Sequence, residues 1–495
     1  MLRLIPLLFL LIVVLLAGCQ GARPLAEEDR PLPLLLISID GFRYDYFDLA
    51  DTPALDRLVA GGLKADSLHH SFPTKTFPAH YTVVTGCHPG THGVVANNMW
   101  DPDRDARFSL GNRDAVSDGF WYAGCEPLWV TAENQGLTAA TYFWPGSEAR
   151  IHGVRPTFWK PYAGETPHRE RIDTVLEWLD LPAAERPDLL TLYFSVVDSA
   201  GHRHGPRAEP VRSALIDVDR HLELLLDGLE ARGLLEQMHI VLVSDHGMSR
   251  VDFDQYIMLD EYLDLSRVLV SDWGPAAQIW ATDMPAEEIV AALDGAHPHL
   301  RVWARDDIPA RYSFGTHRRV PDVLAEADLE WMISNRPFMV GRQQFSLYGM
   351  HGWDPALLEM HGAFVIHGPA FAAGSRTPAV RSVDLYELMA HLLGLEPAAN
   401  DGSMRKFRPY LEKRQAADVE HRIYDCQGER LEARIGAAHM SLHFDQSVYV
   451  LDRVQGSDGQ HFAEVDLSFE TDGLRAHASI DDRRLSNCQL LMADR

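Results

Sequence analysis

Three apolar runs in this chain each end in residues of the kind that bind metal ions. The run 34–39 is followed by Asp40-Gly41; the run 189–197 leads into Asp198, with His202 and His204 beyond it; and the run 240–243 is followed by Ser244-Asp245-His246-Gly247. A single Asp at a strand end commonly caps a helix or holds a turn. Three such ends, each paired with His or Gly, deliver their side chains to one edge of an open α/β sheet, where ligands bind outside the carboxyl ends of the strands. Asp and His are ligand types for zinc and similar ions, and a mixed carboxylate and imidazole set suits two neighbouring metals better than a closed cysteine site. A fourth segment, Ser71-Phe72-Pro73-Thr74-Lys75-Thr76-Phe77-Pro78-Ala79-His80-Tyr81, places hydroxyls at the start of a helical stretch. Hydroxyls there commonly cap the helix, but the same position sets an anion over free backbone N–H groups and the positive end of the helix dipole. A metal beside such a hydroxyl lowers its pKa, so that it can attack phosphorus.

The elements that must hold these groups read as α/β. The runs 34–39, 189–197, 240–243 and 363–366 are nearly continuous in apolar residues, as expected of strands covered on both faces. Val211, Leu215, Val218, Leu222 and Leu225 recur at steps of three and four, which predicts an amphipathic helix lying on the sheet. Strands alternating with helices imply a mostly parallel sheet sandwiched by helices. Clusters of Pro and Gly around 100–165 and 250–350 mark insertions, where a substrate-recognising cap would be built.

Composition narrows the classes further. The 495 residues include 45 Lys and Arg against 71 Asp and Glu, a formal charge of −26, with 46% hydrophobic residues and 5 cysteines. An ordinary apolar fraction excludes disordered, collagenous and disulfide-scaffold classes. The acidic excess argues against duplex nucleic acid as a partner, which needs a basic face. The first residues, MLRLIPLLFLLIVVLLAGC, read as a lipoprotein signal peptide over 1–18, with Leu16-Ala17-Gly18-Cys19 as the processing site and Cys19 as the point of lipid attachment. Residues 19–33 then form a tether, and the expected location is a bacterial cell envelope, lipid-anchored and facing the periplasm or exterior.

Taken together, Ser38-Ile39-Asp40-Gly41-Phe42-Arg43, Pro73-Thr74-Lys75-Thr76-Phe77-Pro78, His92-Gly93-Val94-Val95-Ala96-Asn97-Asn98, Val197-Asp198-Ser199-Ala200-Gly201-His202, Ser244-Asp245-His246-Gly247-Met248 and Met350-His351-Gly352-Trp353-Asp354 resemble the nucleotide pyrophosphatase/phosphodiesterase branch of the alkaline phosphatase superfamily, its bacterial members above all. Phe143-Trp144-Pro145-Gly146-Ser147 and the run 155–164 add to the match, which covers residues 34–405. The resemblance implies an alkaline-phosphatase-like fold and two zinc ions per chain, one held by Asp198, His202 and His351, the other by Asp40, Asp245, His246 and the Thr76 hydroxyl. It implies Thr76 as nucleophile, forming a phosphothreonine intermediate, and Asn97 as the side-chain donor to the phosphoryl oxygen, with Asn98 as the neighbouring alternative. Phe77, Tyr162 and Tyr193 stand where similar enzymes place aromatics near a nucleobase, and stacking on such faces tolerates several bases. His204, His361 and His367 match no ligand of the family, and Ala79 stands where many members carry Asn. The implied activity is hydrolysis of nucleotide phosphodiester or pyrophosphate bonds to nucleoside monophosphates. Its alternatives are a phosphomonoesterase or phosphonate hydrolase of the same superfamily, and a non-catalytic envelope-binding lipoprotein.

Beyond residue 420 the pattern changes to short alternating runs at 430–435, 440–444, 448–454, 463–469 and 474–480, a small all-β domain over 420–495. Tyr424-Asp425-Cys426, Gly456-Ser457-Asp458-Gly459, Phe462 and Cys488 loosely resemble the membrane-bound inhibitors of c-type lysozyme; a structural or envelope-binding role is the expectation, its partner unspecified. Cys426 and Cys488 are the expected disulfide of this domain, while Cys87 and Cys125 either pair or stay free.

Overall fold

The structure, a computed structural model, describes residues 30–342, 348–413, 418–454 and 460–494. The expected signal peptide and Cys19 lie outside these residues, and among the described ones no helix is long and apolar enough to cross a membrane.

The centre is an eight-stranded sheet built from β1 (Leu34–Ile39), β2 (Gly62–Ala65), β3 (Ala139–Tyr142), β4 (Phe158–Trp159), β5 (Leu189–Phe194), β6 (His239–Val243), β11 (Phe364–His367) and β12 (Ser375–Thr377). Their order across the sheet is β12-β2-β11-β6-β1-β5-β3-β4. β1 lies between β5 and β6, parallel to both, and β11 alone runs against its two neighbours. Successive side chains of a strand point to opposite faces, so the apolar run of β1 serves two cores. Leu34 and Leu36 pack on one side with α2 (Thr76–Thr85), and Leu35, Ile37 and Ile39 on the other with α1 (Pro53–Ala60), α3 (His168–Leu179) and α5 (Glu209–Ala231). Val211, Leu215, Val218, Leu222 and Leu225 of α5 are all buried, as their spacing predicts.

The run 189–197 divides. Its strand stops at Phe194, and Val196 and Val197 open α4 (Val196–His204), so Asp198 and His202 stand one helical turn apart on a helix rather than in a loop. The insertion before β11 forms an antiparallel four-stranded sheet of β7 (Val268–Asp272), β8 (Ala276–Ala281), β9 (Leu300–Ala304) and β10 (Val323–Ala327), in the order β7-β8-β10-β9.

The C-terminal residues close an eight-stranded antiparallel barrel, β13 (Glu420–Cys426) to β20 (Arg483–Asp494), with Cys426 bonded to Cys488 inside it. Closure leaves no unpaired sheet edge. The run 463–469 is not one strand: it turns at Val465 and Asp466, where Asp466 has φ +57°, and contributes to both β17 (Gln460–Glu464) and β18 (Leu467–Thr471). Cys87 is bonded to Cys125 in the α/β part of the chain.

Candidate active site

The carboxyl ends of β1, β5 and β6 meet through backbone and side-chain hydrogen bonds. The Asp198 N–H donates to the Asp40 carbonyl at 3.0 Å, and the Gly41 N–H to the Asp245 carboxylate at 3.1 Å. Gly41 has φ +68°, and a Cβ there would stand 2.9 Å from the Asp198 Cα, so this approach requires glycine.

Two clusters of possible metal ligands result, Asp198/His202/His351 and Asp40/Asp245/His246. In the first, His202 Nε2 lies 3.2 Å and His351 Nε2 3.7 Å from Asp198 Oδ1. In the second, His246 Nε2 lies 3.4 Å from Asp40 Oδ1 and 3.0 Å from Asp245 Oδ2. Each of the three imidazoles pairs its Nδ1 with a backbone carbonyl: His202 with Gly349 at 2.8 Å, His351 with Thr74 at 2.8 Å and His246 with Gly247 at 2.9 Å. A carbonyl only accepts, so Nδ1 carries the proton, and in the neutral ring Nε2 is left as a lone pair facing the carboxylates. The His246 and His351 rings stack with centroids 3.4 Å apart, which joins the two clusters.

These residues fit metal ions on electrostatic grounds too. Asp40 Oδ1, Asp198 Oδ1 and Asp245 Oδ2 are buried oxygens without a hydrogen-bond partner. Burial and the charges of Asp245 and Asp198 push the Asp40 carboxyl well above the ordinary carboxylate range. Burial would also raise Asp245, but His246 and His80 beside it hold it well below that range, while burial drives His351 well below the usual imidazole value. Carboxylates crowded together in a buried site beside imidazoles call for positive charge between them, which a bound cation supplies.

Thr76 is the first residue of α2, and its Oγ1 lies 3.4 Å from His246 Nε2. The helix starts there irrespective of Ala79, which is buried in its first turns. Asn97 and Asn98 separate sharply. Asn97 Oδ1 accepts the Phe77 N–H at 3.0 Å, at the same helix end as Thr76, whereas Asn98 Nδ2 donates to Asp272 at 2.9 Å. Asp272 also takes the ammonium of buried Lys75.

A cavity of about 230 Å³ opens beside Thr76, lined by Asp40, Phe77, Phe143, Trp144, Tyr162, Tyr193 and Asp198 among others. Tyr162 is 41% exposed at its mouth, edge-on to Phe143. The Tyr193 ring forms part of the wall, but its hydroxyl donates to Asp40 Oδ2, so its polar end serves a carboxylate rather than the open space. His204 is exposed; His361 is buried against Ser67 and His367 is buried elsewhere in the sheet, all three outside both clusters.

Three contributors went unassigned in the sequence reading. His80, one helical turn after Thr76, pairs with the Ser38 hydroxyl at 2.8 Å and stands 3.3 Å from Asp245; its spacing from Thr76 was the available clue. Glu148 sits by the cavity, taking the Tyr162 N–H at 3.1 Å and pairing with Arg113. Asp272 comes from the inserted sheet and had no local mark.

A mostly parallel sheet between helical layers, with two carboxylate–imidazole clusters at its carboxyl edge around a hydroxyl that starts a helix, defines the alkaline phosphatase superfamily. The family pattern described as type I phosphodiesterase / nucleotide pyrophosphatase matches residues 34–354, and the chain belongs to that family. It is 38% identical over 400 residues to mouse ectonucleotide pyrophosphatase/phosphodiesterase family member 1, covering 78% of this chain and 43% of that protein. It is 36% identical over 383 residues to the venom phosphodiesterase of Naja atra, covering 75% and 45%. The chain thus spans less than half the length of these curated relatives. Among solved structures, murine ectonucleotide pyrophosphatase / phosphodiesterase 5 superposes with a TM-score of 0.73 at 34% identity, over 77% of this chain and 100% of that one. The same murine protein has been solved in an inactive form in complex with AMP, with the same score and coverage.

Proposed function

We propose that the chain hydrolyses a phosphodiester or pyrophosphate bond of a nucleotide and releases a nucleoside monophosphate. The observation that carries this reading is the place of Thr76: a helix-starting hydroxyl that touches His246 and lines an aromatic-walled cavity shared with Asp40 and Asp198. Relatives named as phosphodiesterases, and one solved with AMP, support the substrate class.

Two zinc ions fit the residues present: Asp198, His202 and His351 would hold one, and Asp40, Asp245, His246 and the Thr76 hydroxyl the other. Bound there, they supply Lewis acidity, lowering the pKa of the hydroxyl and stabilising charge on the leaving oxygen. Thr76 Oγ1, having lost its proton to solvent, attacks phosphorus in line; the bond to the leaving group breaks, its oxygen departing with the electron pair and taking a proton from solvent as its own basicity requires, and the nucleotide remains on Thr76 as a phosphodiester. Water attacking from the opposite side splits the Thr76–phosphate bond, frees the nucleoside monophosphate and returns the hydroxyl. Asn97 has its Oδ1 committed to the Phe77 N–H, so its amide nitrogen is the end available to the non-bridging oxygen, together with the Thr76 N–H. Phe77, Tyr162 and the Tyr193 ring offer the base apolar faces.

Replacing Thr76 with Ala is expected to abolish hydrolysis of a nitrophenyl nucleotide diester; a near wild-type rate would remove Thr76 as nucleophile. On the same zinc-loaded sample, faster turnover of a monoester than of the diester would favour a phosphomonoesterase. The reading extends to organisation: a phosphodiesterase unit over 34–405 and an all-β unit over 420–495, carried on a lipid at Cys19 in a bacterial cell envelope and facing the periplasm or exterior. The two disulfides support an oxidising compartment.

A further inference from the structure

Away from the active site, helices α3 and α5 bring three metal-binding side chains to one place. His168 opens α3; Asp217 and His221 sit four residues apart on one face of α5. Each contributes one donor atom, and the three donors lie within 4.8 Å of one another. We propose that His168, Asp217 and His221 form a surface metal site, separate from the two clusters around Thr76, that takes one zinc-class divalent ion and clamps α3 to α5.

The local hydrogen bonds prepare the donors. His221 Nδ1 lies 2.8 Å from the backbone carbonyl of Asp217 and 3.7 Å from Asp217 Oδ1, so the carbonyl fixes the ring beside the carboxylate, and with the proton on Nδ1 the lone pair of the ring is on Nε2. His168 Nδ1 lies 3.1 Å from Asp217 Oδ2, the spacing of two neighbouring ligands on one ion held by bonds of about 2.0–2.1 Å. Metal entry at this nitrogen needs only that the neutral ring carry its proton on Nε2 instead. The two rings stand edge to face at 5.1 Å, so neither blocks the other. Side-chain exposures of 14% for His168, 22% for His221 and 49% for Asp217 give an ion a path from solvent.

Two imidazoles and one carboxylate select the ion. Calcium and magnesium seek more oxygen ligands, whereas zinc, cobalt, nickel and copper accept this mixed set and would complete their shells with water. The consequence for the molecule is positional. α3 follows directly on the segment bearing Tyr162, and Arg171 of α3 donates to the carbonyls of Gly164, Thr166 and Tyr193. The His168 ring meets Phe194, whose carbonyl accepts the Asp40 N–H. An ion joining α3 to α5 therefore stiffens the wall of the cavity without entering it.

The test counts ions. Full-length protein carrying Asp40→Asn and Asp198→Asn is stripped with chelator and equilibrated with Co²⁺, then compared with the same protein also carrying His168→Ala and His221→Ala. The first is expected to hold one more ion per chain than the second, with visible cobalt absorption that the second lacks. Working in the Asp40→Asn, Asp198→Asn background keeps the result independent of whether the Thr76 clusters bind metal. In the otherwise wild-type chain, Ni²⁺ is expected to raise the melting temperature by more than in the His168→Ala, His221→Ala variant, and diesterase activity is expected to be equal in both without added ion. Equal cobalt counts would overturn the proposal and leave a hydrogen-bonded His–Asp pair between helices. Asp217→Asn, which keeps the side-chain shape at an exposed position, decides the question in the same way where the double His variant fails to fold.

Discussion

Asn97 and Asn98 are adjacent and chemically identical, and their contacts assign them opposite consequences. Asn97 Oδ1 accepts the Phe77 N–H at 3.0 Å, one of the free N–H groups at the start of α2, and in the proposed mechanism its amide nitrogen is the donor to the phosphoryl oxygen. Asn97→Ala removes both the cap, costing about 1 kcal/mol of stability, and the proposed donor to developing negative charge, costing about 100- to 1,000-fold in kcat. Asn97→Asp separates the two effects. Its carboxylate still accepts the Phe77 N–H, so the melting temperature should hold, yet it presents an anion where a donor stood, so kcat should fall at least as far as in the Ala variant. Asn98→Ala loses one bond to Asp272, which retains Lys75; stability should drop by about 1 kcal/mol with little change in kcat. Steady-state hydrolysis of a nitrophenyl nucleotide diester, alongside thermal unfolding, reads both quantities. An Asn98→Ala variant that loses about 100-fold in kcat while Asn97→Asp stays near wild type would refute the reasoning.

Two further outcomes follow from contacts at and near the site. Tyr193→Phe removes the hydroxyl donated to Asp40 Oδ2 but keeps the ring in the cavity wall; zinc affinity should fall about 10- to 100-fold with KM for the diester unchanged, and a raised KM at full zinc affinity would instead make the hydroxyl a substrate contact. Asp384 is fully buried, which alone would raise its pKa, yet Arg381 and Lys406 bring it from 3.8 to about 2. Its stabilisation, about 2 kcal/mol, is therefore complete above the unfolded value and lost as the pH falls toward 2; Asp384→Asn should flatten the decline of the urea midpoint on the acid side, and an unchanged slope would contradict the pairing.

How much of this was legible depended on whether the relevant pattern was local. Asp40, Asp198, Asp245 and His246 were readable because each closely follows an apolar run, Asp40 directly after β1, Asp245 and His246 two and three residues after β6, and Asp198 after the run that carries on from β5 into α4, and strand ends converge by the geometry of the sheet. Periodicity failed where an apolar run crossed a boundary: Val196 and Val197 prolong β5 in composition but begin α4, since a short apolar run suits a buried strand and a buried helix turn alike. The 463–469 alternation likewise continued through a turn, because Val465 keeps the apolar rhythm while standing 49% exposed. β13 and β20 were passed over since both are rich in charged and polar residues and give the barrel core only Tyr424 and Cys426 from the first and Leu485 and Cys488 from the second. Asn97 against Asn98, and the reach of Asp272 to Lys75, rest on tertiary contacts between distant segments, which no spacing within either segment encodes.

The barrel is bound up with the site more closely than its position at the end of the chain suggests. Four residues after His351, the segment from Pro355 onward pairs with it: the Val448 N–H donates to the Ala356 carbonyl at 2.7 Å and the Leu358 N–H to the Gln446 carbonyl at 3.2 Å. Arg311 adds a two-pronged bond to Asp354 and also reaches Asp481 of the barrel at 3.5 Å. Lys406, fully buried, joins Asp384 to Asp452. A charge buried between two units is costly to strand, by about 3–5 kcal/mol when one partner is removed, so the two units resist separation. The segment that bears His351 is consequently held from both sides, by Thr74, two residues before Thr76, and by the barrel strand beyond Ala356. An imidazole that must meet Asp198 and stack on His246 has little room to drift, and the barrel limits that drift from outside the catalytic sheet.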